Sequence, residues 1–254
     1  MSKTIMITGA SSGIGEACAW RFASEGFRMI LTGRRKNRLE KLKTALNEKY
    51  SVEVLSLSFD VSNRQQTEQA ISKLPEEWRR IDVLVNNAGL ALGLSGIEEG
   101  NIEDWEKMID TNLKGLLYAS RAVIPGMTER KNGHIINIGS IAGKETYPKG
   151  NVYCATKKAV DALSLGMRMD LVQYGIRVSN VSPGATETEF SEVRFHGDIQ
   201  KAKKVYEGYR PLNGDDVARA VVFVATLPEH VNVNDMLIMP TAQASATVFN
   251  KCGE

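Results

Sequence analysis

The sequence predicts a doubly wound α/β fold, a seven-stranded parallel sheet with helices on both faces. Three observations carry that expectation. Strand-like and helix-like segments alternate from end to end. A glycine-rich turn joins the first strand to the first helix. There is no linker rich in Pro, Gly or Ser, no charge block and no internal repeat, so residues 1–254 read as a single domain.

In chain order, TIMIT over 4–8 is the first strand, and helical periodicity over 14–24 follows it. RMILT over 28–32 is paired with a helix over 38–48, where Leu39, Leu42 and Leu46 recur at helical intervals. VEVLSLS over 52–58 precedes a helix over 64–73, and VLVN over 83–86 precedes a long one over 103–127. HIINI over 134–138 leads to a helix over 152–173, and RVSNV over 177–181 leads to one over 215–225. DMLIM over 235–239 is a weaker last strand. The stretch from about 184 to 213 has no clean strand character. A loop-plus-helix insertion just beyond a strand's carboxyl end is where a substrate-capping segment belongs.

With 43% hydrophobic residues, the 254-residue chain can bury a large core. Its 32 Lys+Arg against 30 Asp+Glu leave a formal charge of +2, too balanced to point to nucleic acid or an anionic membrane as partner. Cys18, Cys154 and Cys252 are an odd number without metal-ligand spacing, which favours a reducing compartment over a disulfide framework. The apolar run at the start is too short for a signal sequence or a membrane span, and no other stretch approaches spanning length. A soluble, cytoplasmic protein is expected.

The turn Thr8-Gly9-Ala10-Ser11-Ser12-Gly13-Ile14-Gly15 lies between predicted strand and predicted helix. Glycines there allow positive φ and close approach of backbone N–H groups to a pyrophosphate, with the helix N-terminus behind them. A tight strand-to-helix turn would also use glycine, but this context is the one that a dinucleotide site requires. The second strand ends in Gly33-Arg34-Arg35. An acid at such a strand end binds the ribose 2′-hydroxyl of NAD, whereas a guanidinium pairs with the 2′-phosphate of NADP. No acid stands here, so Arg34 and Arg35 point to NADP(H). Further strand ends complete the expected groove: Asp60-Val61 for the adenine, Asn87, Ala88 and Gly89 for its ribose, and Pro183-Gly184 near the nicotinamide.

Tyr153 and Lys157 stand four residues apart near the start of a predicted helix and therefore share one face. A tyrosine with a pKa of ~10 is a poor base at neutral pH. A nearby ammonium, together with an oxidised nicotinamide, could lower it by ~1–3 units. Such a pair is also common on exposed helix faces. Here, however, Ser140 follows the fifth strand, where its hydroxyl could polarise a carbonyl, and Asn112 sits inside a predicted helix, where an amide is unhelpful unless it holds something.

Gly9/Gly13/Gly15, Asn86-Asn87-Ala88-Gly89, Asn112, Ser140, Tyr153-x-x-x-Lys157 and Pro183-Gly184, in order over almost the whole chain, resemble the short-chain dehydrogenase/reductase family. The resemblance implies a Rossmann-type domain and a catalytic tetrad. Tyr153 would transfer the proton, Ser140 would orient the reacting oxygen, and Lys157 would lower the tyrosine pKa and bind the nicotinamide ribose. Asn112 would anchor a relay water. Hydride would pass directly between nicotinamide and substrate, without a metal. Ser11, Ser12, Ile14, Thr186 and Thr188 join the cofactor contacts on the same basis, and a homotetramer is implied.

The segment 182–198 and the ending 237–243 resemble the branch acting on small 3-hydroxy acids such as serine and allo-threonine. The glycine-rich C-terminal motif common in 3-oxoacyl carrier-protein reductases is missing. A carboxylate substrate calls for a cation, and Arg194 in the capping segment is the favoured candidate, with Lys144 and Lys149 as alternatives. A reductase of bulkier ketones or acyl thioesters remains an alternative. A non-catalytic dinucleotide sensor is a further one, against which the intact tetrad argues.

Overall fold

Neighbouring residues of a strand face opposite sides of a sheet, and here both sides are apolar, so each strand feeds two cores. The structure, a computed structural model, describes residues 2–252. In β1 (Thr4–Ile7), Ile5 and Ile7 enter one core and Met6 the other, and no residue of the strand is exposed. β2 (Arg28–Gly33), β3 (Val54–Ser58), β4 (Val83–Asn86), β5 (Gly133–Ile138) and β6 (Ile176–Pro183) continue the parallel sheet. β7 (Thr186–Glu187) and β8 (Leu212–Asn213) form a separate small pair, and β9 (Asp235–Ile238) closes the main sheet beside β6. The strand order β3-β2-β1-β4-β5-β6-β9 is that of a doubly wound fold, with its switch between β1 and β4.

On one face lie α1 (Gly13–Ser24), α2 (Lys36–Tyr50) and, from the far end of the chain, α9 (Gly214–Thr226), whose Val217 and Val221 share a core with Phe22 and Leu39. The other face is covered by α3 (Arg64–Ser72), α5 (Leu116–Arg130) and α6 (Asn151–Leu171), with α4 (Ile102–Ile109) leading into α5. No helix among the described residues is long and apolar enough to cross a membrane.

Two departures from the sequence reading concern the site. The helix expected over 103–127 is α4 and α5 joined through a π-helical turn, Asp110–Gly115, which carries Asn112. The stretch after β6, expected as a loop-plus-helix insertion, carries a small strand pair besides its helices. It holds β7, α7 (Phe190–Arg194), α8 (Ile199–Lys204) and β8, and residues beyond β9 fold back onto it, with Cys252 donating its backbone N–H to Gly208.

Candidate active site

The carboxyl ends of β1, β2, β4, β5 and β6 border one cavity of about 540 Å³, roofed by the segment 184–213. Gly9 and Gly13 have φ of +67° and +56°, the left-handed region. A Cβ on Gly9 would come within 2.9 Å of Ala88 Cα, and one on Gly13 within 3.3 Å of Thr188 Cβ, so the turn is pressed from both sides. Thr8 Oγ1 accepts from the backbone N–H groups of Asn87 and Ala88, both at 3.0 Å, which locks the turn to the end of β4. At the head of α1, no side chain caps the helix at Ser12, so its first N–H groups are left for a ligand. Such a donor set suits a pyrophosphate.

Arg35 lies against this turn. Its Nε donates to Ser11 Oγ at 3.1 Å, its Nη2 to Ser12 Oγ at 2.5 Å, and its Nη1 to Glu189 of the roof at 2.8 Å. Arg38 donates to the other oxygen of Glu189 at 2.5 Å. Arg34 points elsewhere, its Nη1 standing 3.8 Å from Asp60, and two thirds of its side chain is exposed. Asp60 is itself turned back, accepting from the N–H and hydroxyl of Ser62. At this end of the cavity Arg34 and Arg35 offer guanidinium donors to a phosphorylated adenosine, beside the carboxylates of Asp60 and Glu189.

Ser140, Tyr153 and Lys157 line the opposite end. Ser140 caps the short turn that follows β5, and Tyr153 and Lys157 project from the first turns of α6. Opposing influences act on the Tyr153 pKa. Burial, and then Tyr147, raise it, against the Ser140 hydrogen bond and the Arg194 charge, which lower it. Lys157 is committed elsewhere, donating to the Ile138 carbonyl at 2.8 Å, and burial brings its pKa down to about 8.

Asn112 is buried behind the cavity wall and does not line it. Its amide accepts from Leu90 N–H at 2.8 Å and donates to Leu90 C=O at 2.8 Å and Thr156 Oγ1 at 3.1 Å. Gly15 likewise lies outside the wall, and a Cβ there would collide with Asn87 and the Gly9 carbonyl. Its role is close packing of helix on strand. Every other residue expected at the site lines the cavity: Ser11, Ser12, Ile14, Val61, Asn87, Gly89, Pro183, Gly184 and Thr186 do so with those already placed.

Of the three cations considered for a carboxylate, only Arg194 lines this cavity. Its guanidinium carbon sits 5.8 Å from the Tyr153 ring centre and 5.7 Å from that of Tyr147. Nε donates to the Gly93 carbonyl at 3.2 Å and Nη1 to Tyr147 Oη at 3.1 Å, while Nη2 is buried without a partner among the described residues. Lys144 is spent on Asp161 and Asp235, at 2.6 and 2.9 Å, tying the turn after Ser140 to α6 and β9. Lys149 lines a neighbouring cavity instead. The sequence reading missed Tyr147, Phe190, Tyr206 and Gln243, all of which line the wall. Only the Tyr147 position, between Ser140 and Tyr153, could have suggested itself.

Comparison with known proteins agrees with this geometry. The family model described as short chain dehydrogenase matches residues 3–198. The NADP-dependent 3-hydroxy acid dehydrogenase of Salmonella typhi is 52% identical over 243 residues, 95% of this chain and 96% of its own length. The serine 3-dehydrogenase of Rhizobium radiobacter is 43% identical, covering 97% of each chain. A closed form of serine dehydrogenase complexed with NADP+ superposes with a TM-score of 0.92 at 47% identity, covering 97% of this chain and 98% of the other.

Proposed function

The chain belongs to the short chain dehydrogenase family, and from that premise we propose that it interconverts a small 3-hydroxy acid and its oxo form with NADP(H). The glycine turn, with Ser11, Ser12 and Ile14, would hold the pyrophosphate, Arg35 and Arg34 the 2′-phosphate, and Asp60 and Val61 the adenine. Asn87, Ala88 and Gly89 would line its ribose, with Lys157 on the nicotinamide ribose. Pro183, Gly184, Thr186 and Thr188 would flank the nicotinamide. When bound, the nicotinamide supplies or accepts the hydride at C4.

This chain's own groups handle the proton. In reduction, Tyr153 Oη–H gives its proton to the carbonyl oxygen as hydride reaches the carbon, and Ser140 Oγ holds that oxygen. A raised pKa keeps the phenol protonated for this direction. In oxidation the phenolate must form, and the Arg194 charge lowers its cost. Asn112 fixes Leu90 and Thr156 so that the wall beside Gly89 and Lys157 keeps its shape; its oxygen and the Lys157 ammonium flank Gly89, which supports a water between them.

The observation carrying the substrate class is Arg194, a guanidinium beside the tyrosine with one buried nitrogen still unpaired. A carboxylate two bonds from the reacting carbon would complete it in bidentate fashion. Reduction of NADP+ is to be followed over serine, allo-threonine, 3-hydroxypropionate and 3-hydroxyisobutyrate, alongside 3-hydroxyacyl thioesters. Free acids should turn over best, and Arg194→Ala should raise their KM about 10–100-fold, as loss of a charge-assisted pair implies. Preference for the thioesters, or an unchanged KM for the acids, would overturn the reading.

The segment 184–213 acts as the substrate cap, and the fit to a closed, NADP+-complexed relative supports reading this conformation as the closed one. A cytoplasmic homotetramer completes the proposal. It is supported by the exposed Ile102, Leu165, Met169 and Val172 on α4, α6 and the turn after α6, and by the free thiols of Cys18 and Cys154. A mass measured in solution checks the assembly.

A further inference from the structure

We propose that Glu189 is a positioning residue that fastens the cap to the adenosine side of the groove and thereby sets how fast the cofactor leaves. Glu189 precedes α7, on the roof, whereas Arg35 and Arg38 belong to the start of α2, on the opposite bank. The two ion pairs, at 2.8 and 2.5 Å, run between these banks. Beside them Thr188 closes onto Gly13, so the fastening point stands next to the pyrophosphate turn. The guanidiniums hold the Glu189 carboxyl below its usual range, the Arg35 hydrogen bond contributing most, as in a formed pair.

The far end of the same short helix reaches the reaction centre. Phe190 packs on Tyr153 with ring centres 5.7 Å apart, and Arg194 lies beside the same ring. Glu189 thus holds one end of a five-residue helix whose other end carries the proposed substrate cation. Opening the groove requires whichever of these ion pairs is formed to break. Because Arg38 contacts Glu189 and does not line the cavity, it can keep its pair while Arg35 engages a phosphate. The clamp therefore works with either dinucleotide.

The inference rests on the cofactor reading above, and the test separates the two. Release of NADPH and of NADH is timed by stopped-flow displacement, using nicotinamide fluorescence. Glu189→Gln should speed release of both by roughly threefold to tenfold, the scale set by breaking partly exposed ion pairs. Thermal stability should stay unchanged, which a merely structural role would not allow. Arg38→Gln, which leaves the Arg35 pair in place, should give a smaller gain, and the double variant no more than Glu189→Gln alone. Burial first, and then the nearby Glu189, raise the Glu16 pKa, and Glu16 makes no ion pair among the described residues, so Glu16→Gln should leave release unchanged. Unchanged release in Glu189→Gln, an equal effect from Glu16→Gln, or tighter binding of NADPH alone would overturn the clamp. The last result would make Glu189 a competitor of the 2′-phosphate. Arg35→Ala tests the other reading: equal weakening of NADPH and NADH would refute a phosphate role for Arg35 and leave the clamp to be judged on the release rates.

Discussion

Tyr153 shows how one residue's chemistry depends on what surrounds it. Buried beside Tyr147, its phenol resists ionisation, and only Ser140 and Arg194 counter that. Removing the hydroxyl removes the proton and little else, since the ring packing on Phe190 survives. Tyr153→Phe should therefore bind NADPH with near-normal affinity, measured by fluorescence titration, and lose turnover by about 10²–10⁴-fold or more, as expected for a lost general acid. That Tyr153, Lys157 and Ser140 meet at one cavity was legible because spacing and strand context bring them together. Lys157's actual bond to the Ile138 carbonyl was not, because nothing in a four-residue interval says which acceptor an ammonium will choose. Tyr147 went unseen for a similar reason: it bonds Arg194 from 47 positions away.

At the scale of elements, the turn Asp110–Gly115 places an amide where an ordinary helix would bury it uselessly. A π-helical turn admits one extra residue, shifts the facing side chains, and recurs at functional sites. One residue of extra phase is too small to register in apolar periodicity, so 103–127 read as one helix. The turn leaves Asn112 holding Leu90 N–H, Leu90 C=O and Thr156 at once. Asn112→Ala should cost about 1–3 kcal/mol in denaturant unfolding, the penalty for stranding buried backbone groups. It should also reduce kcat more than it changes NADPH affinity. The strands of the main sheet were legible, because residues such as Ile5, Met6 and Ile7 must all be apolar when both faces are covered, whereas the two-residue β7 and β8 were not.

Across the whole molecule, the order of elements followed from alternation, while the long returns did not. The chain beyond β9 brings Gln243, Ala246 and Phe249 to the cavity, and Gln243 accepts from the Ala185 backbone at 2.8 Å. Such contacts join segments with no shared period. Stability carries a further whole-molecule signature. His134, buried in β5 with Nε2 2.8 Å from Ser179 Oγ, has its pKa pushed down to about 3, by burial first and then by Arg177 and Lys3. The unfolded chain takes up that proton below pH ~6.5 and the folded one does not, so stability falls as the medium is acidified from about 6.5 towards 3. The slope contributed is up to about 1.4 kcal/mol per pH unit. His134→Gln should flatten the urea midpoint against pH over that interval, and an unaltered profile would contradict the assignment. Lys144 ties its own turn to two other parts of the protein, α6 through Asp161 and β9 through Asp235. Losing Asp235 would leave Lys144 its Asp161 pair alone, so a substitution at the rim of the sheet should be felt, weakened, at the turn that carries Ser140.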